Sequence, residues 1–268
     1  MSLEEDLGPQ GDITSRLLLN DRQKSSARLV AKGDFIAAGL PFAGLVFRLV
    51  DDRTVFRPMV REGSRAKKNT VLAEITGRTA SLLASERVSL NVLQRLSGIA
   101  TLTGKFVQAL KGLDAKLCDT RKTTPGMRYM EKYAVRAGGG TNHRFGLFDG
   151  ILIKDNHIAA VGEIKKAVAL AKRQGMHLLK IEVETGDLAQ VKAALEAGAD
   201  VIMLDNMGIP EMKEAVRLCG KRALLEASGN VTLENVRRIA ETGVDLISTG
   251  SITHSAPAAD ISMRIIRG

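Results

Sequence analysis

The sequence predicts an α/β chain in which a small N-terminal α+β sandwich domain precedes an incomplete, irregular β/α barrel of the TIM-like kind. Three observations carry this. From about residue 116 onward, short apolar runs alternate with amphipathic helical stretches, the pattern of repeated βα units whose strands are buried on both faces. Polar residues follow each apolar run: Asp119/Arg121/Lys122, Lys154/Asp155/Asn156, Glu182/Glu184, Asp205/Asn206, Glu226/Ser228/Gly229 and Gly250/Ser251/His254. In a barrel all such ends share one mouth, whereas in a doubly wound sheet only those beside the switch point meet, so a full set favours the barrel. Upstream, the alternation gives way to strand-like pieces separated by glycine-containing turns.

Taken in order, those pieces are 27–31, 35–38, 55–60 and 70–75, with Arg61-Glu62-Gly63-Ser64 as one turn. Residues 82–110 place Val88, Val92, Leu96, Ile99, Thr103, Phe106 and Leu110 three or four apart, which predicts a long helix linking the two parts. Gly98 within it lowers helix propensity and is expected to permit close packing. The barrel strands are expected at 116–118, 150–154, 178–184, 201–204, 223–227 and 245–249. Helices are expected at 161–173, 188–197, 210–218 and 233–241, mostly closed by Gly175, Gly198, Gly220 and Gly243 in left-handed caps. Residues 256–266 read as a last helix, open to a return to the first domain. The expected domains are 1–104, 105–255 and a C-terminal helix over 256–268.

Composition narrows the chemistry. The 268 residues suffice for a substantial core, and Cys118 and Cys219 form no Cys-x-x-Cys pair, so neither a disulfide framework nor a zinc site is expected. No signal-like segment and no apolar run of about 20 residues is present, which predicts a soluble cytoplasmic protein. The net charge of +9 raises the question of nucleic acid, but with no Trp, two Tyr and scattered cations the chain lacks stacking platforms and a basic stripe. A polyanionic small molecule fits better.

The cations gather in two loops. Asp119-Thr120-Arg121-Lys122-Thr123-Thr124-Pro125-Gly126 sets two hydroxyls and two cations between a strand and a turn, as carboxylate or phosphate recognition requires. Residues 137–157 bring His143, Arg144, Lys154 and His157 around a short apolar strand. Gly138-Gly139-Gly140 follows a helical pattern and forms no dinucleotide fingerprint, and 98–105 has one residue too many for a phosphate-binding P-loop, with Phe106 where Ser or Thr is needed. Glu182 and Glu184 share one strand face and Asp205 ends the next strand, a placement that suits magnesium or sugar hydroxyls. The small residues after 226 and 248 suit phosphate binding through backbone amides. Lys154 also admits a Schiff-base aldolase, which borohydride trapping would reveal.

These motifs, together with Glu4-Glu5-Asp6-Leu7-Gly8, Gly11-Asp12-Ile13-Thr14, Glu86-Arg87 with Asn91, and Leu96-Ser97-Gly98-Ile99-Ala100-Thr101, resemble the quinolinate phosphoribosyltransferase family over nearly the whole chain. Asn142-His143-Arg144, Ile153-Lys154-Asp155-Asn156-His157, Glu182-Val183-Glu184, Met203-Leu204-Asp205-Asn206, Glu226-Ala227-Ser228-Gly229 and Ser248-Thr249-Gly250 complete the likeness. Met1-Ser2-Leu3 stands where relatives usually carry more of a first helix, which bears only on N-terminal packing. The nearest rival is a molybdenum-transport-associated homologue, expected to lack the Asn-His-Arg and Lys-Asp-Asn-His runs present here.

The resemblance implies transfer of phosphoribosyl from phosphoribosyl pyrophosphate to quinolinate with decarboxylation, giving nicotinate mononucleotide for NAD synthesis, with Mg2+ as cofactor. It implies a homodimer, with larger assemblies allowed, in which the small domain of one subunit covers the barrel mouth of the other. Arg121, His143, Arg144 and Lys154 would then bind quinolinate, with Arg87 from the partner subunit. Lys122, Glu184, Asp205, Ser228, Gly229, Gly250 and His254 would bind phosphoribosyl pyrophosphate. Lys122, Lys154, Glu184 and Asp205 would serve catalysis, and Glu184 and Asp205 magnesium.

Overall fold

A computed structural model describes residues 2–266, which divide into two compact units: 2–104 with 136–139 and 256–266, and 105–135 with 140–255. The first unit opens with helices α1 (Ser2–Leu7) and α2 (Ile13–Leu18), the latter capped by Asp12, whose side chain accepts from the Ser15 N–H. Strand β1 (Lys24–Ala31) follows, then β2 (Phe35–Ile36), helix α3 (Leu40–Val50), β3 (Val55–Pro58), β4 (Arg65–Ala66), β5 (Val71–Arg78) and the long helix α4 (Thr79–Ala109), whose residues from Lys105 on belong to the second unit. Strands β1, β3 and β5 are antiparallel, and β2 pairs with β4 in a separate ribbon. Leu29, Phe47, Leu72, Ile75, Leu82 and Leu93 form its core.

The C-terminal segment does return to this unit, as a strand and not as the expected helix. β12 (Ile261–Ile266) pairs antiparallel with β1, completing the order β12-β1-β5-β3. Its β-branched Ile261, Ile265 and Ile266 favour an extended chain that buries Ile261 in the core. The last two residues of the expected helix, 267 and 268, lie outside the described residues. Gly98 permits close packing as expected: a Cβ there would come within 2.1 Å of the Pro257 carbonyl oxygen.

The second unit is a run of βα units. It contains β6 (Lys116–Cys118), α5 (Arg128–Ala137, whose last two residues belong to the first unit), β7 (Ile151–Ile153), α6 (Asp155–Val161), α7 (Ile164–Gln174) and β8 (Ile181–Thr185). It continues through α8 (Leu188–Glu196), β9 (Val201–Asp205), α9 (Ile209–Cys219), β10 (Leu224–Ser228), α10 (Val236–Ala240), β11 (Leu246–Ser248) and α11 (Ser251–His254). The strands form one parallel sheet in the order β6-β11-β10-β9-β8-β7. That order runs one way around from β7 to β11 and then to β6, the winding of a barrel, with no ladder joining β6 to β7. The seam is partly filled by Thr141, which bridges to Cys118. An open, incomplete barrel results.

Two local expectations change. The stretch 161–173 is broken at Gly162, whose φ of 106° ends α6 before α7 starts. Gly198, Gly220 and Gly243 have positive φ, but Gly175 is extended and leaves no room for a Cβ beside the Ala171 carbonyl.

Candidate active site

Alternate residues of the strands face one interior. Leu152, Lys154, Glu184, Met203, Asp205, Glu226, Ser228 and Ser248 line a cavity of about 640 Å³ at the strand C-termini. The preceding loops add Thr120, Arg121, Lys122, His143 and Arg144 to its wall, and Gly229 and Asn230 follow Ser228. The structure thus brings together Arg121, Lys122, His143, Arg144, Lys154, Glu184, Asp205, Ser228 and Gly229 from the sequence reading. Gly250 sits behind Lys122 and His254: a Cβ there would meet the Lys122 side chain at 2.8 Å and the His254 ring at 3.0 Å. Arg87 lies exposed on α4 in the first unit. A larger cavity, of about 930 Å³, belongs to that unit, but its carboxylate Asp51 is spent on Arg53, Arg78 and Ser81, which hold it well below the usual carboxylate range.

The two cationic loops are held by buried chemistry on α5, a helix whose role the sequence reading did not single out. Glu131 is buried and accepts from the backbone N–H and hydroxyl of Thr124, fixing the loop after Lys122. Arg128 donates to the Thr123 hydroxyl and the Phe145 carbonyl, tying the loops together. Asp119 is not a mouth group despite its strand-end position. It is fully buried, pairs with Lys132 at 2.5 Å, and accepts from the Asn142 side chain and the His143 N–H. Lys132 also donates to the His143 carbonyl, so this pair sets the position of 142–144. The signal lay in the α5 pattern, where Glu131 and Lys132 occupy buried positions.

Electrostatics at the mouth favour an anion. Burial opposes the charge of Arg144, and the Arg121 guanidinium opposes it further, so its pKa is lowered. Lys154 Nζ donates to Glu184 Oε2 at 2.7 Å, and the Asn206 side chain donates to Asp205 at 3.0 Å. Asn206, Gly229 and Asn230 have φ of 55°, 91° and 50°, a tight set of turns in which Asn230 donates to Asn206. A Cβ at Gly229 would overlap Asn206 Oδ1, so that position requires glycine. His157 is a support: its Nδ1 accepts the Lys154 N–H at the start of α6.

Beneath the cations lies an acid cluster. Glu182 and Glu226 are 7% and 1% exposed, and His143 Nε2 stands 2.9 Å from Glu182 Oε2 and 3.7 Å from Glu226 Oε2. These three side chains come within 4.8 Å of one another, a spacing a metal ion would accept. The histidine argues otherwise. Its Nδ1 accepts the Arg144 N–H, whereas a metal-bound histidine donates through its second nitrogen. The ring therefore carries its proton on Nε2, directed at Glu182, and both nitrogens are engaged within the protein. Arg121, Lys122, Arg144 and Lys154 are the Lys and Arg side chains that line the cavity. Burial, then the charge of Glu182, pushes the Glu226 carboxyl up to about 7, against the pull of His143.

Known proteins resemble this chain in sequence and fold. Residues 12–97 match the N-terminal domain of the quinolinate phosphoribosyl transferase family and residues 99–264 its C-terminal domain. The chain is 47% identical over 261 residues to a probable nicotinate-nucleotide pyrophosphorylase (carboxylating) of Bacillus subtilis, covering 97% of this chain and 90% of that protein. It is 46% identical to the similarly named protein of Synechocystis, covering 99% and 90%. Among solved structures, NadC from Streptococcus pyogenes superposes with a TM-score of 0.95 at 41% identity, covering 99% of this chain and 94% of that one. With both domain models matched end to end along the same polypeptide that builds the cationic mouth, the chain belongs to the quinolinate phosphoribosyl transferase family.

Proposed function

We infer that this chain is a pentosyltransferase that joins quinolinate to the ribosyl carbon of phosphoribosyl pyrophosphate and releases pyrophosphate and carbon dioxide, leaving nicotinate mononucleotide for NAD synthesis. The observation that carries the reading is the convergence of Arg121, Lys122, Arg144 and Lys154 with Glu184 and Asp205 on one cavity. Crowded cations of this kind are costly unless anions compensate them, and a dicarboxylate beside a pyrophosphate ester does so.

Arg121, Arg144 and Lys154 hold the two ring carboxylates, with His143 forming the wall behind them and Arg87 supplied by the partner of a homodimer. Lys122, Ser228, Gly229, Gly250 and His254 hold the phosphates, and Glu184 and Asp205 face the ribose hydroxyls. As pyrophosphate leaves, positive charge grows on the ribosyl carbon, and fixed carboxylates offset it without reorganisation. The ring nitrogen then bonds to that carbon. The resulting pyridinium draws in the electron pair of the adjacent carbon–carboxylate bond, so no organic cofactor is needed.

Magnesium fits the donor set in part. Asp205 is a strand-end carboxylate at the cavity, whereas Glu184 already accepts from Lys154, so a cation there would rest on Asp205 and the pyrophosphate oxygens more than on an all-protein cage. When bound, it would neutralise charge on the leaving pyrophosphate. No helix among the described residues is long and apolar enough to cross a membrane, and both cysteines are free and buried, in keeping with a cytoplasmic setting.

The test is direct. Protein incubated with quinolinate, phosphoribosyl pyrophosphate and magnesium should yield nicotinate mononucleotide, with nicotinate in place of quinolinate giving none. Reaction with nicotinate alone would overturn the two-carboxylate reading.

A further inference from the structure

Loss of carbon dioxide leaves an electron pair on the ring carbon, and that carbon must gain a proton before product forms. Resting on the reaction inferred above, we propose that Glu226 is the acid that delivers this proton from the floor of the cavity. Glu226 lines the mouth cavity and also a second cavity of about 500 Å³ beneath it, so it stands at the boundary between them. One of its oxygens faces His143 Nε2 at 3.7 Å, and the other is buried with no hydrogen-bond partner.

Burial and the Glu182 carboxyl favour its protonated form over the pull of His143. Glu182 on β8 presents a second buried carboxyl, also with one unpartnered oxygen, and two carboxylates this close in a desolvated interior cannot both ionise cheaply. His143, the one facing base, offers an N–H already directed at Glu182. On β9 the residue in register is Met203 and on β11 it is Leu246, neither of which titrates, while Ser248 adds a hydroxyl on β11. Cys118 on β6, pushed up to about 12 by burial, holds its proton too tightly to serve. The arginines do not release protons, and Lys154 is committed to Glu184. Glu226, at about 7, holds a proton near neutrality and can release it.

The step balances. The bond between the ring carbon and its carboxylate breaks, carbon dioxide leaves, and the pair stays on carbon beside the cationic nitrogen. That pair takes the Glu226 proton, and the carboxylate left behind regains one from water after product departs.

The experiment measures pyrophosphate and nicotinate mononucleotide separately over the first turnover, for the parent and Glu226→Gln, from about pH 6 to about pH 9. Glutamine keeps the shape and lacks the proton. The expected result is pyrophosphate release within about threefold of the parent, nicotinate mononucleotide formation lowered about a hundredfold, and quinolinate mononucleotide accumulating. In the parent, product formation should fall as pH rises through about 7 while pyrophosphate release does not follow it. Product keeping pace with pyrophosphate in Glu226→Gln, or both falling together, overturns the assignment. If that variant does not fold, the parent's own pH profiles decide, since profiles that do not diverge overturn it equally. A parent that makes no nicotinate mononucleotide from quinolinate would instead overturn the reaction itself.

Discussion

Arg121 and Arg144 hold the same charge in different settings, and the difference sets what each should contribute. Arg121 is exposed on its loop, whereas Arg144 is half-buried and anchored to the Gly150 carbonyl. Unpairing a buried charge costs about 2 to 5 kcal/mol, roughly 30-fold to a few thousandfold in affinity. Arg121→Ala and Arg144→Ala should both raise the quinolinate KM and lower kcat, with Arg144→Ala nearer the upper end. Steady-state kinetics of both variants check this, and near-normal quinolinate kinetics in both would remove these residues from the site. The cations were legible in the sequence because Thr-Arg-Lys-Thr and Asn-His-Arg are local patterns beside strand ends. The setting of His143 was not legible, because its carboxylate neighbours Glu182 and Glu226 lie on β8 and β10 and meet it only in the folded barrel.

At the scale of elements, the same distinction separates what periodicity reveals from what pairing decides. Helix α4 and the six parallel strands follow from apolar spacing, because both faces of each strand and one stripe of the helix must be buried. The C-terminal segment misleads because Ile261, Ile265 and Ile266 fit a helical spacing as well as a strand, and the free edge of β1 that settles the choice is more than 200 residues away in sequence. Gly98 gives this region its sharpest test. Alanine there gains about 1 kcal/mol of helix propensity, but its Cβ would stand 2.1 Å from a backbone carbonyl, and overpacking costs about 1 to 3 kcal/mol. Because a backbone cannot swing aside as a side-chain tip does, overpacking wins. Gly98→Ala should lower the urea midpoint of unfolding, and an unchanged or higher midpoint would show that the 257–258 backbone yields freely.

At the scale of the whole molecule, the open question is what completes the mouth. Arg87 lies on α4 in the first unit, while the other proposed quinolinate contacts belong to the second, and the family resemblance assigns it to the partner's site. If that is so, each active site draws on two chains, and defects on different chains should complement. An Arg87→Ala subunit keeps an intact Lys154 and needs only a partner's Arg87, which a Lys154→Ala subunit provides. The reciprocal site in the same heterodimer lacks both residues and stays inactive. Random exchange of equal amounts makes half the dimers mixed, each with one complete site, so activity should return to about a quarter of the parental level in a symmetric dimer. The two variants should each be nearly inactive alone, and activity should rise on mixing at the rate of subunit exchange. Mixing without any recovery, under conditions where labelled subunits are seen to exchange, would place Arg87 outside the partner's site and leave each barrel to hold quinolinate with its own cations.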